Sequence, residues 1–115
     1  MKTHKDLEIW KLGIELVLEI YETTKKFPGN EMYGLTAQMR RSAVSIPSNI
    51  AEGAARNSKK EFLQFLYISL ASLSELETQF IIAQKLNYIE QSDYDLIEKL
   101  RRKMLNFIKR IKENE

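Results

Sequence analysis

The chain has 115 residues, 43% of them apolar and 30% charged, with a formal net charge of +2. A chain of this length fits one domain, residues 1–115, with a single core; its composition excludes disorder, and no run approaches the 18 apolar residues of a membrane span. Cysteine is absent, histidine occurs once, and Met1–Asp6 holds no apolar signal core, so disulfides and zinc–thiolate sites are excluded and a soluble cytoplasmic protein is expected.

Low glycine and proline counts, four and two, predict nearly continuous regular structure, and Leu, Glu, Lys, Gln, Ala and Met favour helix. A first helix is expected over about 3–26, capped by Thr3 with Asp6 or by Asp6 alone. Leu7, Trp10, Ile14, Val17 and Tyr21 repeat at three-four spacing and read as the bundle seam. Ile9, Leu12, Leu16 and Ile20 form a second stripe, which predicts a helix covered on two sides. Phe27-Pro28-Gly29-Asn30 ends this helix, because proline disfavours helix at the residue before it.

A second helix is expected over about 33–53, with Leu35, Met39, Ala43, Ile46 and Ile50 on its apolar stripe. Pro47 interrupts it, which predicts a kink, since proline removes the donor to the Ala43 carbonyl and crowds it. Ser42, Ser45, Asn49 and Glu52 form a polar stripe alongside. Two roles stay open for it: repair of the backbone near Pro47, or hydrogen bonds from Ser45, Ser48 and Asn49 across a helix or subunit interface. Gly53 is expected to take a left-handed C-terminal conformation, and Glu52 with Arg56 fits an i,i+4 ion pair.

Ser58 and Glu61 read as a capping box opening a third helix over about 58–86. Its stripe is Phe62, Leu66, Ser69, Leu73, Leu76, Phe80 and Ala83. Small residues at Ser69, Ala71, Ser72 and Ser74 allow another helix to approach. After the turn Asn87–Gln91, Ser92 with Asp95 is expected to cap a fourth helix over about 92–113, with Ile97, Leu100, Met104, Phe107 and Ile111 inward. Short turns predict an all-α, up-down-up-down four-helix bundle with shallow crossing angles.

No catalytic, cofactor or metal residues are assigned, and a non-enzyme is expected. His4 reads as solvent-facing. A bundle di-metal site needs Glu-x-x-His pairs, and none occurs. Glu75 and Glu77 are two apart and face different ways; Glu19 and Glu22 read as a solvated face. The aromatics Trp10, Tyr21, Phe62, Phe80 and Phe107 read as core. The cations are unevenly spread: Lys99, Arg101, Arg102, Lys103, Lys109, Arg110 and Lys112 form a run without an acid, Arg56, Lys59 and Lys60 form a smaller set, and Arg40 and Arg41 stand at the head of the Pro47 segment. Such a basic face can contact phosphates without sequence preference. An anionic membrane surface is not expected as a partner, because the apolar face of the fourth helix is needed by the bundle.

The segments Leu7-x-x-Trp10, Phe27-Pro28, Leu35-Thr36-x-Gln38-x-Arg40-Arg41, Ser45-Ile46-Pro47-Ser48-Asn49-Ile50-Ala51-Glu52-Gly53, Phe62-x-x-Phe65-Leu66 and Ser72-x-x-Glu75-x-Glu77-Thr78-Gln79 together resemble the bacterial 23S rRNA-intervening-sequence proteins. Ser45, Pro47, Asn49, Glu52 and Gly53 carry the structural signature. Leu70-Ala71 departs from the Arg-Gly of many members, which weakens any basic contact from the third helix there. The resemblance implies a homopentamer of four-helix bundles. It extends in fold to the accessory variability protein of diversity-generating retroelements, a basic pentameric barrel that binds nucleic acid and a reverse transcriptase. The expected function is therefore a non-enzymatic, oligomeric adaptor presenting its basic faces to RNA or DNA. The alternative is a scaffold that docks a partner protein, such as a polymerase or reverse transcriptase, without nucleic-acid contact.

Overall fold

The computed structural model describes residues 3–90 and 95–114. Four α-helices follow in order: α1 (Glu8–Thr24), α2 (Leu35–Ala54), α3 (Lys59–Lys85) and α4 (Asp95–Glu113). No strand occurs among the described residues. The helices pack as a rod of 47 × 21 × 21 Å, in which each helix touches its chain neighbours and α1 closes against α4. Tyr88, after α3, hydrogen-bonds Glu31, before α2; Lys59, opening α3, reaches the Asn114 carbonyl, closing α4. Neighbours therefore run antiparallel, and the up-down-up-down bundle follows from the short connections. The expected cap of α4 at Ser92 lies outside the described residues.

One apolar cluster runs the length of the rod and draws on all four helices. From α1 it takes Ile9, Leu12, Leu16 and Ile20. This reverses the expected roles of the two α1 stripes. The seam predicted through Trp10, Ile14, Val17 and Tyr21 lies on the flank beside α2, with Tyr21 38% exposed. Spacing alone identified both stripes but could not order them. Gly13 decides the matter, because it sits on the core-facing side and lets α2 approach closely there. Of the five aromatics expected inside, only Phe80 is buried. Phe62 and Phe107 are half-buried and meet edge-on at 5.8 Å. Half-buried Trp10 takes the edge of His4 at 5.2 Å, so His4 is not simply solvent-facing.

The first helix is shorter than predicted. Thr3 and Asp6 form a reciprocal capping box, but it caps a 3-10 turn at His4–Asp6, and α1 itself starts at Glu8 and ends at Thr24. At the other end of the rod, Glu31 does the capping. Its Oε1 accepts the Leu35 amide at 3.1 Å, satisfying one free donor of α2. Its Oε2 accepts the Tyr88 hydroxyl at 2.8 Å. A β-carbon on Gly34 would lie 2.8 Å from Glu31 Oε1. The glycine thus leaves room for the cap.

At the start of α3 the capping box is half made. Ser58 accepts the Glu61 amide at 3.1 Å, but Glu61 turns to the Ser58 hydroxyl and to Arg56 rather than to the Ser58 amide. The far end of α3 closes with the Tyr88 amide on the Ala83 carbonyl and the Asn87 amide on that of Gln84. Asn87 supplies the left-handed residue (φ 64°) that this Schellman closure requires.

Candidate nucleic-acid interface

Pro47 sits inside an unbroken α2. Its ring is buried against Gly13 of α1. The polar residues around it do not turn to the Ala43 carbonyl. Ser69 of α3 donates to the Ile46 carbonyl at 2.9 Å, and Ser45 pairs with Ser72 of α3 at 2.8 Å. Asn49 donates to the Ser45 carbonyl and hydroxyl at 2.8 and 2.9 Å. The polar stripe is therefore mainly an α2–α3 seam, anchored by one intrahelical amide, while Ser48 stays exposed. Of the small residues on α3, Ser69 and Ser72 serve that seam; Ala71 and Ser74 face outward.

Gly53 corrects a second expectation. It lies within α2 and does not adopt positive φ. A β-carbon there would come within 2.7 Å of Phe65 Cβ and 3.2 Å of the Phe62 carbonyl. The requirement is for close approach of α3, not for a left-handed turn.

The structure sorts the candidate cations by what holds them. Arg40 is not an outward contact: its Nε donates to Thr24 Oγ1 at 2.9 Å and its guanidinium stacks over Tyr21 at 4.5 Å. Arg101 is likewise committed, half-buried between Glu77 at 2.8 Å and Glu98. Burial opposes its charge, but the hydrogen bonds and charges of the two carboxylates outweigh that and raise its pKa. Arg56 pairs with Glu52 at 2.9 Å, as expected, and also with Glu61 at 3.6 Å, above the Phe65 ring. Lys103 reaches Glu8 at 3.1 Å. Lys59 binds the Asn114 carbonyl. A basic run free of acids in sequence is thus partly neutralised by acids on α1 and α3, a pairing that local sequence does not reveal.

What remains is a coherent face. Ile97, Leu100, Met104 and Ile108 of α4 point into the core, so Lys99, Arg102, Lys109 and Arg110 point away from it. All four are exposed, and none has a carboxylate partner among the described residues. They span twelve residues, about 16 Å of helix from first to last. Lys112 stands apart at the α3 side, its ammonium 5.2 Å from the Tyr67 ring. Lys60 and Arg41 are exposed and unpaired on α3 and α2, and the α4 set does not include them.

A different surface went unread in the sequence as such. Along the α1–α2 side two grooves share Val44: one holds Trp10, Ile14, Val17 and Pro47, and the other, 620 Å³ in volume, holds Tyr21, Met32 and Tyr33. Tyr33 is 95% exposed and Leu18, nearby on α1, 63%. The signal for this face was the α1 stripe read as seam.

No helix among the described residues is long and apolar enough to cross a membrane. Nor do the described residues include a group of three His, Asp or Glu side chains placed to hold a metal ion. No curated protein matches the chain. The model of the 23S rRNA-intervening sequence protein family matches residues 5–110, nearly the whole chain, and the chain belongs to that family.

Proposed function

We propose that the protein is a non-enzymatic cytoplasmic adaptor that assembles with copies of itself and binds the phosphates of RNA or DNA through the outward face of α4. One observation carries the reading: Lys99, Arg102, Lys109 and Arg110 are exposed together on the outward face of one helix, and none forms an ion pair among the described residues. A row of fixed cations gains affinity by releasing counterions from the nucleic acid. Four phosphate contacts per chain give a log–log salt slope of about −3 to −4. The test is fluorescence anisotropy with labelled duplex and single strands across a salt series. The expected result is binding at low salt that weakens steeply as salt rises, and that flattens in a Lys99→Gln/Arg102→Gln/Lys109→Gln variant. Absence of binding at low salt, or binding indifferent to salt, overturns the reading.

Self-assembly, as a ring of five by family resemblance, is supported by the apolar α1–α2 face. On the opposite α3–α4 side, Tyr67 and Leu105 are also exposed. Two different apolar faces on opposite sides suit a head-to-tail contact, the kind that closes into rings. The same α1–α2 face favours a second reading, a scaffold that docks a partner protein without touching nucleic acid. Resemblance to the accessory variability protein of diversity-generating retroelements points to a reverse transcriptase as the kind of partner. Charge reversal at Arg102 and Lys109 separates the two readings: a scaffold keeps its partner, whereas a nucleic-acid binder loses affinity.

A further inference from the structure

Between the first turn of α1 and the outward side of α4 lies a cleft of about 360 Å³. Leu7 and Phe107, both half-buried, give it an apolar wall. Arg102, Asn106 and Arg110 line it from α4. They follow at intervals of four, so they form one row along the helix, about 12 Å from first to last. Asn106 stands at the centre of the row, exposed and without a hydrogen bond among the described residues. Two acids also line the cleft, but each is committed: Asp6 accepts the Thr3 amide at 2.9 Å, and Glu8 pairs with Lys103 at 3.1 Å. Neither arginine has an ion-pair partner among the described residues. Arg110 lies 5.9 Å above the Phe107 ring, at the limit of cation–π range. An apolar wall, an amide that both donates and accepts, and an unpaired cation on either side of that amide therefore share one space.

We propose that this cleft takes one unstacked base of a single-stranded nucleic acid whose phosphates run along α4. The proposal rests on the reading of α4 as a phosphate-binding face, and it names the form of nucleic acid that the face selects. An unstacked nucleotide brings what the cleft meets: an apolar ring face for Leu7 and Phe107, an edge of donors and acceptors for the Asn106 amide, and a phosphate on each side for Arg102 and Arg110. The volume falls at the lower end of small-molecule sites, room for one nucleoside. Arg110 gives up little at Phe107 when a base enters, and its guanidinium plane can stack on that base in turn. A paired base cannot enter without first leaving its stack. Charge favours the same choice. A duplex presents two rows of phosphates, about 12 Å apart across its major groove. The α4 helix offers one row of cations, and on the α1 side Glu15, Glu19 and Glu22 continue, at helical spacing, the stripe that Glu8 begins. A second row of phosphates on that side would meet carboxylates.

Fluorescence anisotropy on the full chain tests it, with labelled oligothymidylate, an abasic strand of the same length and a duplex of the same length. The abasic strand keeps the phosphates and lacks the bases. It should bind at least about fivefold more weakly than oligothymidylate, the loss of one stacked base. The duplex should also bind more weakly at equal salt, although its charge density is higher. Asn106→Ala should bring oligothymidylate toward the abasic value with the salt slope unchanged, because no phosphate contact is lost. Phe107→Leu should reduce the same preference. Asn106 is exposed, so its variant keeps the test decisive even if Phe107→Leu perturbs packing. Thymidine monophosphate should compete far more weakly than the strand; equal competition would make the ligand a free nucleotide and overturn the assignment. Equal affinity for intact and abasic strands, or a preference for duplex, overturns the cleft while steep salt dependence still upholds phosphate binding by α4. Failure of every strand to bind at low salt overturns both.

Discussion

Gly13 and Pro47 fit together as notch and ridge: a β-carbon on Gly13 would stand 3.3 Å from the Cβ and 3.5 Å from the Cδ of the proline ring. The proline lacks the amide that an interior helix position normally donates. Its buried ring instead fills the space that a glycine leaves in α1. Gly13→Val overfills this contact and should lower stability by about 1–3 kcal/mol, read from urea unfolding. In the Pro47→Ala background the same change should cost less, because the ring is gone. A double-mutant cycle should return a coupling of about 1 kcal/mol or more. Additive effects would separate the two residues.

Gly53 makes the matching contact on the other side of α2. Ala is a better helix former than Gly by about 1 kcal/mol, so an unhindered Gly53→Ala would stabilise. Here the added methyl meets backbone, the Phe62 carbonyl at 3.2 Å, as well as the Phe65 β-carbon. Backbone cannot move aside, and the variant should be less stable by about 1–3 kcal/mol. A rise in thermal midpoint would show that α3 can retreat at no cost.

The bundle, its helix count and most of its core stripes were legible in the sequence, because three-four spacing and turn residues are local signals. The order of the two α1 stripes was not, since it depends on Gly13 and on what α2 presents opposite. Gly53 was misread for the same reason: in sequence a glycine near a helix end looks like a cap, and only the position of Phe65 shows that it is a point of approach. The basic run was readable as a run, but Glu8 and Glu77, which neutralise Lys103 and Arg101, come from distant elements.

Arg101 and the outward cations should separate in their effects. Arg101→Ala breaks the pair with Glu77, whose side chains are 23% and 30% exposed. The cost should be about 1–2 kcal/mol, between that of an exposed pair and a buried one. Nucleic-acid affinity and its salt slope should stay unchanged. Arg102→Gln should do the reverse, leaving stability intact and weakening binding.

The Glu31–Tyr88 bond should leave a pH signature at both ends. The Tyr88 hydroxyl and the Leu35 amide hold the Glu31 carboxyl below its ordinary value. Its contribution is therefore present above about pH 4.3 and lost as pH falls through the lowered value. The hydrogen bond to Glu31 raises the Tyr88 pKa, with burial and the Glu31 charge adding to it. That contribution is complete below about pH 10 and lost as pH climbs through the raised value. Tyr88→Phe should flatten stability at both limbs and move the Glu31 carboxyl titration upward, as followed by carbon-detected NMR.

Val44 lies in both apolar grooves of the α1–α2 face. Val44→Asp should leave helix content unchanged and reduce the mass seen by light scattering to that of a single chain. A wild-type protein that is monomeric at high concentration would remove the proposed assembly.

The glycine notches divide the rod unequally. Gly13 and Gly53 lock α1 and α3 onto α2, whereas α4 rests on aliphatic contacts, the Phe62–Phe107 ring contact and a few ion pairs at its margins, and packs more sparingly. In hydrogen exchange, α4 amides should therefore open at lower free energy than those of α2, as a separate cooperative unit. The helix that carries the free cations is the one able to lift away from the rest. A bound phosphate backbone would then clamp it, and protection would rise in α4 before anywhere else in the molecule.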